Sequence, residues 1–394
     1  MSRIEGRATF KFTRKLEVHV TKRDLIPDYL KELKPYQAGK PIEELAREKN
    51  LTKISKLASN ENPLGPSPFA VKEMTYALWD VHRYPDMHSY ELKNELSKLY
   101  KLKNENIILA NGSEGIMALI ARTFVLPGDE VVTSEKTFLG FNILFKGVGA
   151  KIIEAPMTKD FKYNVEAIAN CINKNTRLVY IANPNNPTGN FIKRDEFDFL
   201  MSKIPANVLV ILDEAYFEFG RFASSEYPDS MDYRYDNVLT LRTFSKAYGL
   251  AGIRVGYGFG HETLIGHLHK IKLTFEPGSI AQKGAVGALA DYPHLNRTLR
   301  NNRRRYNQTA AFLQKHDFRI IDSVTNFICF QTGSEAASDF IYEELLNLGV
   351  IIRPLRSNQM ADFIRVSLGS KAEMNHFYEA MEQILPAYSK KFRK

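Results

Sequence analysis

Apolar residues in this chain gather in short unbroken runs, each followed by a polar or glycine-rich joint. Ile107-Ile108-Leu109-Ala110 stops at Asn111-Gly112-Ser113. Ile116, Met117, Leu119, Ile120, Ala121 and Phe124 then recur at helical spacing. Later runs are Val131-Val132, Ile152-Ile153, Leu178-Val179-Tyr180-Ile181, Val208 to Leu212, and Val238-Leu239-Thr240-Leu241. Unbroken runs, unlike alternating ones, mark strands buried on both faces. The pattern therefore predicts an α/β fold with a mostly parallel sheet covered by helices.

The ends of the chain differ from this middle. Residues 10–55 are charged and interrupted at Pro27, Pro35 and Pro41. Residues 60–68 have loop composition, a helix is expected over 68–80, and Arg83-Tyr84-Pro85-Asp86 makes a turn. After about residue 285 a long basic helical stretch leads to short strands near Phe327–Phe330 and Phe363–Val366, which reads as a smaller α+β domain. The expected division is an N-terminal arm (1–30), a small domain (31–80 with 286–394) and a large domain (81–285).

Composition narrows the classes. The chain has 394 residues, 44% of them apolar and 25% charged, enough to bury a large core and too apolar for a disordered chain. Cys171 and Cys329 are its two cysteines, so a disulfide scaffold is not expected and a reducing cytoplasm is. No run of about 18 apolar residues is present, so no membrane span is expected. The net charge of +9 reads as a solvated basic surface. Arg300, Arg303, Arg304 and Arg305 are expected on one exposed helix face, with no interleaved aromatics to bind nucleic acid. Residues 1–24 lack the apolar stretch of a secretory signal. Ile4-Glu5-Gly6-Arg7 resembles a protease site used to remove purification tags, and residues 1–9 carry no functional argument. His261, His267 and His269 lie close in sequence without an acidic or thiol set, so no metal site is expected.

Four segments carry chemistry. Asn111-Gly112-Ser113-Glu114-Gly115 joins a strand to a helix, whose free N–H groups suit a phosphate. Asn183-Pro184-Asn185-Asn186-Pro187-Thr188-Gly189 is a turn after the run 178–182 and directs Asn186 toward the same crevice. Asp213 ends the run 208–212, at the strand end where open α/β sheets bind ligands. Thr243-Phe244-Ser245-Lys246-Ala247-Tyr248-Gly249 places a lysine among small and hydroxyl residues just past a buried strand.

In this order the four segments resemble the fold-type I pyridoxal-phosphate enzymes, in the class that contains aspartate aminotransferase. Within it the chain is most similar to the histidinol-phosphate aminotransferases. Their marks stand here as Ser59-Asn60-Glu61-Asn62-Pro63 with Gly65-Pro66-Ser67-Pro68, as Arg83-Tyr84-Pro85, as Ser245-Lys246-Ala247 with Gly252-Ile253-Arg254, and as Arg365-Val366-Ser367-Leu368-Gly369. The resemblance runs from about residue 30 to the end.

The resemblance implies roles. Lys246 looks like the Schiff-base lysine, Asp213 the partner of the pyridinium nitrogen, and Asn186 and Tyr216 the groups bonding the ring hydroxyl. It places the cofactor phosphate on Ser113, Glu114, Thr243, Ser245 and Arg254, with Phe138 stacked on the ring. The tyrosine matching Tyr84 reaches the other subunit's cofactor phosphate, which implies a homodimer with shared sites. Tyr36, Asn60, Arg353 and Arg365 match residues around the substrate. The implied partners are a small amino donor and a 2-oxo acid, with L-histidinol phosphate as donor and 2-oxoglutarate as acceptor. Transamination of phenylalanine or tyrosine, and decarboxylation of threonine phosphate by a closely similar lyase, are the alternatives. A regulator carrying a fused DNA-binding domain is not expected, because residues 1–30 are too short for one. Phe275-Glu276-Pro277-Gly278-Ser279 departs from the family pattern, and Glu276 would set a negative charge near the pocket.

Overall fold

The computed structural model describes residues 25–35 and 39–393, so Tyr36 and residues 1–24 of the expected arm lie outside the described residues. A short strand, β1 (Ser55–Lys56), precedes the main sheet. That sheet is built from β2 (Ile107–Ala110), β3 (Glu130–Ser134), β4 (Lys151–Ala155), β5 (Thr176–Ala182), β6 (Leu209–Asp213), β7 (Val238–Thr243) and β8 (Gly256–Phe259). Their order is β2-β8-β7-β6-β5-β3-β4. Strands β4, β3, β5, β6 and β7 run parallel, and β8 is antiparallel to both β7 and β2. This is the mostly parallel, helix-covered sheet that the unbroken runs predict.

Alternate residues of each central strand enter different cores. Tyr180 and Ile211 pack in one, with Ile116, Ile120 and Phe141. Val179, Val210 and Leu212 pack in the other, with Phe197 and Leu200. Each fully buried Val, Leu or Ile side chain contributes roughly 1.5–3 kcal/mol, so both faces must be covered. Strand β8 was not expected from the sequence. Its Gly-Tyr-Gly-Phe pattern interrupts the apolar run, yet Tyr257 and Phe259 pack in a core with Ile107 and Leu109.

A second, four-stranded antiparallel sheet follows. After β9 (Ile320–Ile321) and β10 (Phe327–Gln331), β11 (Val350–Ile351) pairs in parallel with β1. The sheet is completed by β12 (Arg353–Leu355) and β13 (Met360–Ser367), in the order β12-β13-β10-β9. The helix Lys371–Phe392 covers it. That helix begins in a capping box, where Ser370 Oγ and the Glu373 carboxylate each accept the other residue's backbone N–H. Leu57 packs in the core of this sheet. Ala70, by contrast, shares a core with Ile107, Tyr257 and Ala285 of the larger body, where helix Pro68–Ala77 lies against helix Ser279–Ala290.

The basic stretch forms helix Tyr292–Lys315. Arg300, Arg303 and Arg304 are exposed, but Arg305 is buried and bonds Asn301 and Gln308. The expected single exposed face is corrected at this position, because consecutive helical residues turn by about 100° and cannot all face solvent. Among the described residues no helix is long and apolar enough to cross a membrane.

Candidate active site

Strands β5, β6 and β7 all end at one cavity of about 200 Å³, between the large sheet and the small one. Lys246 stands three residues past β7 and lines it. Its Nζ donates to the Ser59 carbonyl at 3.2 Å. Burial, reinforced by the Arg365 and Arg254 charges, lowers the Lys246 ammonium to a pKa of about 8. Asp213, the last residue of β6, is buried beside it, and burial raises its carboxyl to about 6. Two donors oppose that shift: the Tyr180 hydroxyl at 2.9 Å and the Ala215 N–H at 3.2 Å. Tyr180 is a site residue that the sequence reading took for core. Its ring does stack on Phe141, at 3.9 Å between centroids, while its hydroxyl reaches Asp213.

An anion cradle lies at the start of helix Gly112–Phe124. Gly112 has φ +81°, and a Cβ there would come within 2.6 Å of Arg254 Nη2. Only glycine lets the guanidinium approach the helix start so closely. Arg254 donates to Ser245 Oγ at 3.3 Å, and Ser245 N–H donates to Thr243 Oγ1 at 3.1 Å. Ser113, Glu114, Thr243, Ser245 and Arg254 all line the cavity, with Phe138 beside them. Free helix N–H groups, hydroxyls and a fixed guanidinium suit a phosphate.

The opposite wall is built by the small sheet. Arg353 on β12 and Arg365 on β13 are direct cross-strand partners, and both line the cavity. Arg365 donates through Nη2 to the Ala58 carbonyl at 2.8 Å and through Nη1 to Asn186 Oδ1. Like charges set opposite one another on a sheet repel, a cost that a bound anion reverses. Asn60, with φ +56°, donates through Nδ2 to the Tyr216 hydroxyl at 2.9 Å. Asn358 also lines the cavity, and no motif drew attention to it.

Thirteen expected residues thus meet at one site: Ser113, Glu114, Phe138, Asn186, Asp213 and Tyr216; Thr243, Ser245, Lys246 and Arg254; Asn60, Arg353 and Arg365. Tyr84 is not among them. It is 80% exposed and stacks on Phe275, with ring centroids 4.3 Å apart. Glu276 does not line the cavity either. Its Oε2 accepts from Asn111 Nδ2 at 2.8 Å, so within its own chain the carboxylate is turned toward the residue that precedes the cradle. No group of three or more His, Cys, Asp or Glu side chains placed to hold a metal occurs among the described residues.

The model of the aminotransferase class I and II family matches residues 52–381. Histidinol-phosphate aminotransferase 2 of Hydrogenovibrio crunogenus is 39% identical over 365 residues, covering 92% of this chain and 96% of that protein. The Methylobacillus flagellatus histidinol-phosphate aminotransferase is 40% identical over 364 residues, covering 92% and 98%. Among solved structures, the histidinol-phosphate aminotransferase of Sinorhizobium meliloti in complex with pyridoxal-5'-phosphate superposes with a TM-score of 0.84 at 26% identity, covering 94% of this chain and 99% of that one. The chain therefore belongs to the class I and II aminotransferases, in the family of the histidinol-phosphate aminotransferases.

Proposed function

We propose that this aminotransferase carries the amino group of L-histidinol phosphate to 2-oxoglutarate, giving imidazole acetol phosphate and glutamate in histidine biosynthesis. The observation that carries this reading is the cross-strand pair Arg353 and Arg365, facing the same cavity as Lys246 and Asp213. Two guanidinium groups on one wall suit a phosphate monoester, which accepts from both, and equally the carboxylates of the second substrate pair. The relatives' own activity supports the same donor.

The cofactor is pyridoxal 5'-phosphate, and the donor set fits it. The Gly112–Arg254 cradle with Ser245 and Thr243 would hold the phosphate. Asp213 would face the ring nitrogen, Asn186 and Tyr216 the ring oxygen, and Phe138 one face of the ring. When bound, the cofactor withdraws electrons from the substrate Cα and so makes its proton acidic. Lys246 is suited to take that proton and return it, because burial leaves its amine deprotonatable near neutral pH. Arg365 and Arg353 would orient the anionic ends, and burial keeps water from the Asp213 carboxylate.

A homodimer in the cytoplasm completes the reading. Tyr76, Trp79, Val81, Tyr84 and Tyr90 expose large apolar surfaces along one segment, the kind of patch that a second copy covers. Tyr84 would then serve the neighbouring subunit's cradle.

The test is a half-reaction panel with the purified holoenzyme: histidinol phosphate, phenylalanine, tyrosine, histidine, glutamate and threonine phosphate. Fast conversion of histidinol phosphate to its oxo product is expected. Reaction only with unphosphorylated aromatic amino acids would replace the substrate assignment, and carbon dioxide release from threonine phosphate would replace the reaction type.

A further inference from the structure

Ser367 lies at the end of β13, is 3% exposed and does not line the cavity, yet it touches the site through Asn60. The Asn60 backbone N–H donates to Ser367 Oγ at 2.8 Å. That N–H has no other role than donor, so Ser367 is the acceptor in this bond and its own proton is free for another. The Ser367 hydroxyl also contacts Asn60 Oδ1 at 2.8 Å, where an amide oxygen can only accept. The amide is thereby oriented, and its Nδ2 faces the Tyr216 hydroxyl at 2.9 Å. Asn326 Nδ2, donating to the Asn60 carbonyl at 2.9 Å, pins the same residue from a second side.

From this chain of bonds we infer that Ser367 is a positioning residue that sets the hydrogen-bond polarity of Asn60 and, through it, of Tyr216. Because Asn60 donates to the phenol oxygen, Tyr216 does not give its proton to Asn60 and can act as a donor toward a ring oxygen in the cavity. An inverted amide would accept the phenol proton instead and turn a bare oxygen toward the ring oxygen of the cofactor. Tyr216 is held in place as well as in polarity: its ring packs edge-on against Phe327, 5.3 Å away at 85°. Asn60 sits at φ +56°, a left-handed backbone that asparagine tolerates better than most residues. Asn60 and Ser367 are both almost wholly buried, so water does not compete for either bond.

The inference rests on the cofactor site proposed above, with Tyr216 toward the ring oxygen. Donation from Tyr216 favours the anionic form of that oxygen. Weakening it raises the pH at which the visible absorption of the bound cofactor changes. The charged groups sharing the cavity with Tyr216 are Glu114, Asp213, Lys246, Arg254, Arg353 and Arg365, and substitution at Ser367 leaves all six in place.

The experiment titrates the visible absorption of the pyridoxal-phosphate holoenzyme against pH, alongside kcat and KM. Tyr216→Phe is expected to raise the midpoint by about one unit, the scale of one charge-assisted hydrogen bond. Ser367→Ala should raise it by roughly half a unit or more and lower kcat several-fold, with KM nearly constant. Ser367→Thr, which keeps the hydroxyl, should restore the wild-type midpoint. On the Tyr216→Phe background, Ser367→Ala should shift the midpoint no further. A wild-type midpoint in Ser367→Ala overturns the inference, as does a shift of equal size on the Tyr216→Phe background, which would show an effect not passing through Tyr216. A wild-type midpoint in Tyr216→Phe removes the site assignment itself and the inference with it.

Discussion

Tyr180 on β5 donates a 2.9 Å hydrogen bond to Asp213 on the adjacent strand β6, and both residues are buried. The bond acts against burial, which raises the Asp213 carboxyl to about 6. A carboxylate there attracts the cationic ring nitrogen of the cofactor, and a protonated carboxyl does not. Tyr180→Phe removes the stabilising donor, so the Asp213 pKa rises further. Cofactor affinity of the variant should therefore begin to fall at a higher pH than in the wild type. Fluorescence titration of the apoprotein with pyridoxal phosphate between pH 5 and 8 measures this. Parallel pH profiles for the two proteins would show that the Tyr180 bond does not control Asp213.

Lys246 should cost the apoprotein stability at neutral pH. Its folded pKa, about 8, lies below the ordinary lysine value of 10.5. The folded state thus binds fewer protons than the unfolded chain between those values. The penalty is complete below about 8 and fades as pH rises toward 10.5. Lys246→Met replaces the ammonium with an apolar chain of similar length. At pH 7 the variant apoprotein should be more stable by about 2–3 kcal/mol, with the advantage reduced to below about 1 kcal/mol near pH 10. It should show no turnover at all. Denaturant unfolding at both pH values checks the first part, and equal stability at pH 7 would mean that Lys246 is well solvated.

Gly112 gives a test of the cradle. At φ +81° any side chain is strained, and a Cβ would meet Arg254 Nη2 at 2.6 Å. Gly112→Ala should destabilise the apoprotein by about 1–2 kcal/mol and weaken pyridoxal-phosphate binding about tenfold, because Arg254 must withdraw. Wild-type cofactor affinity in a folded variant would place the phosphate away from Arg254.

Much of the site was legible because its residues stand at strand ends in recognisable joints. Asp213 follows five buried apolar positions, and Lys246 follows β7 by three residues. What stayed hidden depends on contacts between distant parts of the chain. Tyr180 lies within an apolar run and is indistinguishable there from a core aromatic until β6 is laid beside it. Ser367 and Asn60 are 307 positions apart, and no local pattern pairs them. Strand β8 escaped because two glycines break its apolar signal, although they fit close-packed positions: a Cβ on Gly256 would meet Ser113 N at 2.3 Å. Arg305 was assigned to solvent with its neighbours, since a run of like residues hides the turn of a helix.

Glu276 is the position where sequence and structure differ most in consequence. From the sequence its charge would stand near a phosphorylated substrate. In the structure the carboxylate bonds Asn111, the residue before Gly112, and burial raises its pKa against the pull of Lys272 and Arg122. The Asn111 bond turns the carboxylate toward the start of helix Gly112–Phe124. Glu276→Ala frees Asn111, so its effect should fall on the cradle: cofactor binding weaker by about three- to tenfold, the loss of one partly buried hydrogen bond. The KM for histidinol phosphate should stay within about twofold, because no like charge is removed from the arginine wall. Steady-state kinetics at saturating cofactor separate the two effects. A several-fold drop in that KM would instead show Glu276 repelling the substrate phosphate, and would make this position a determinant of donor choice.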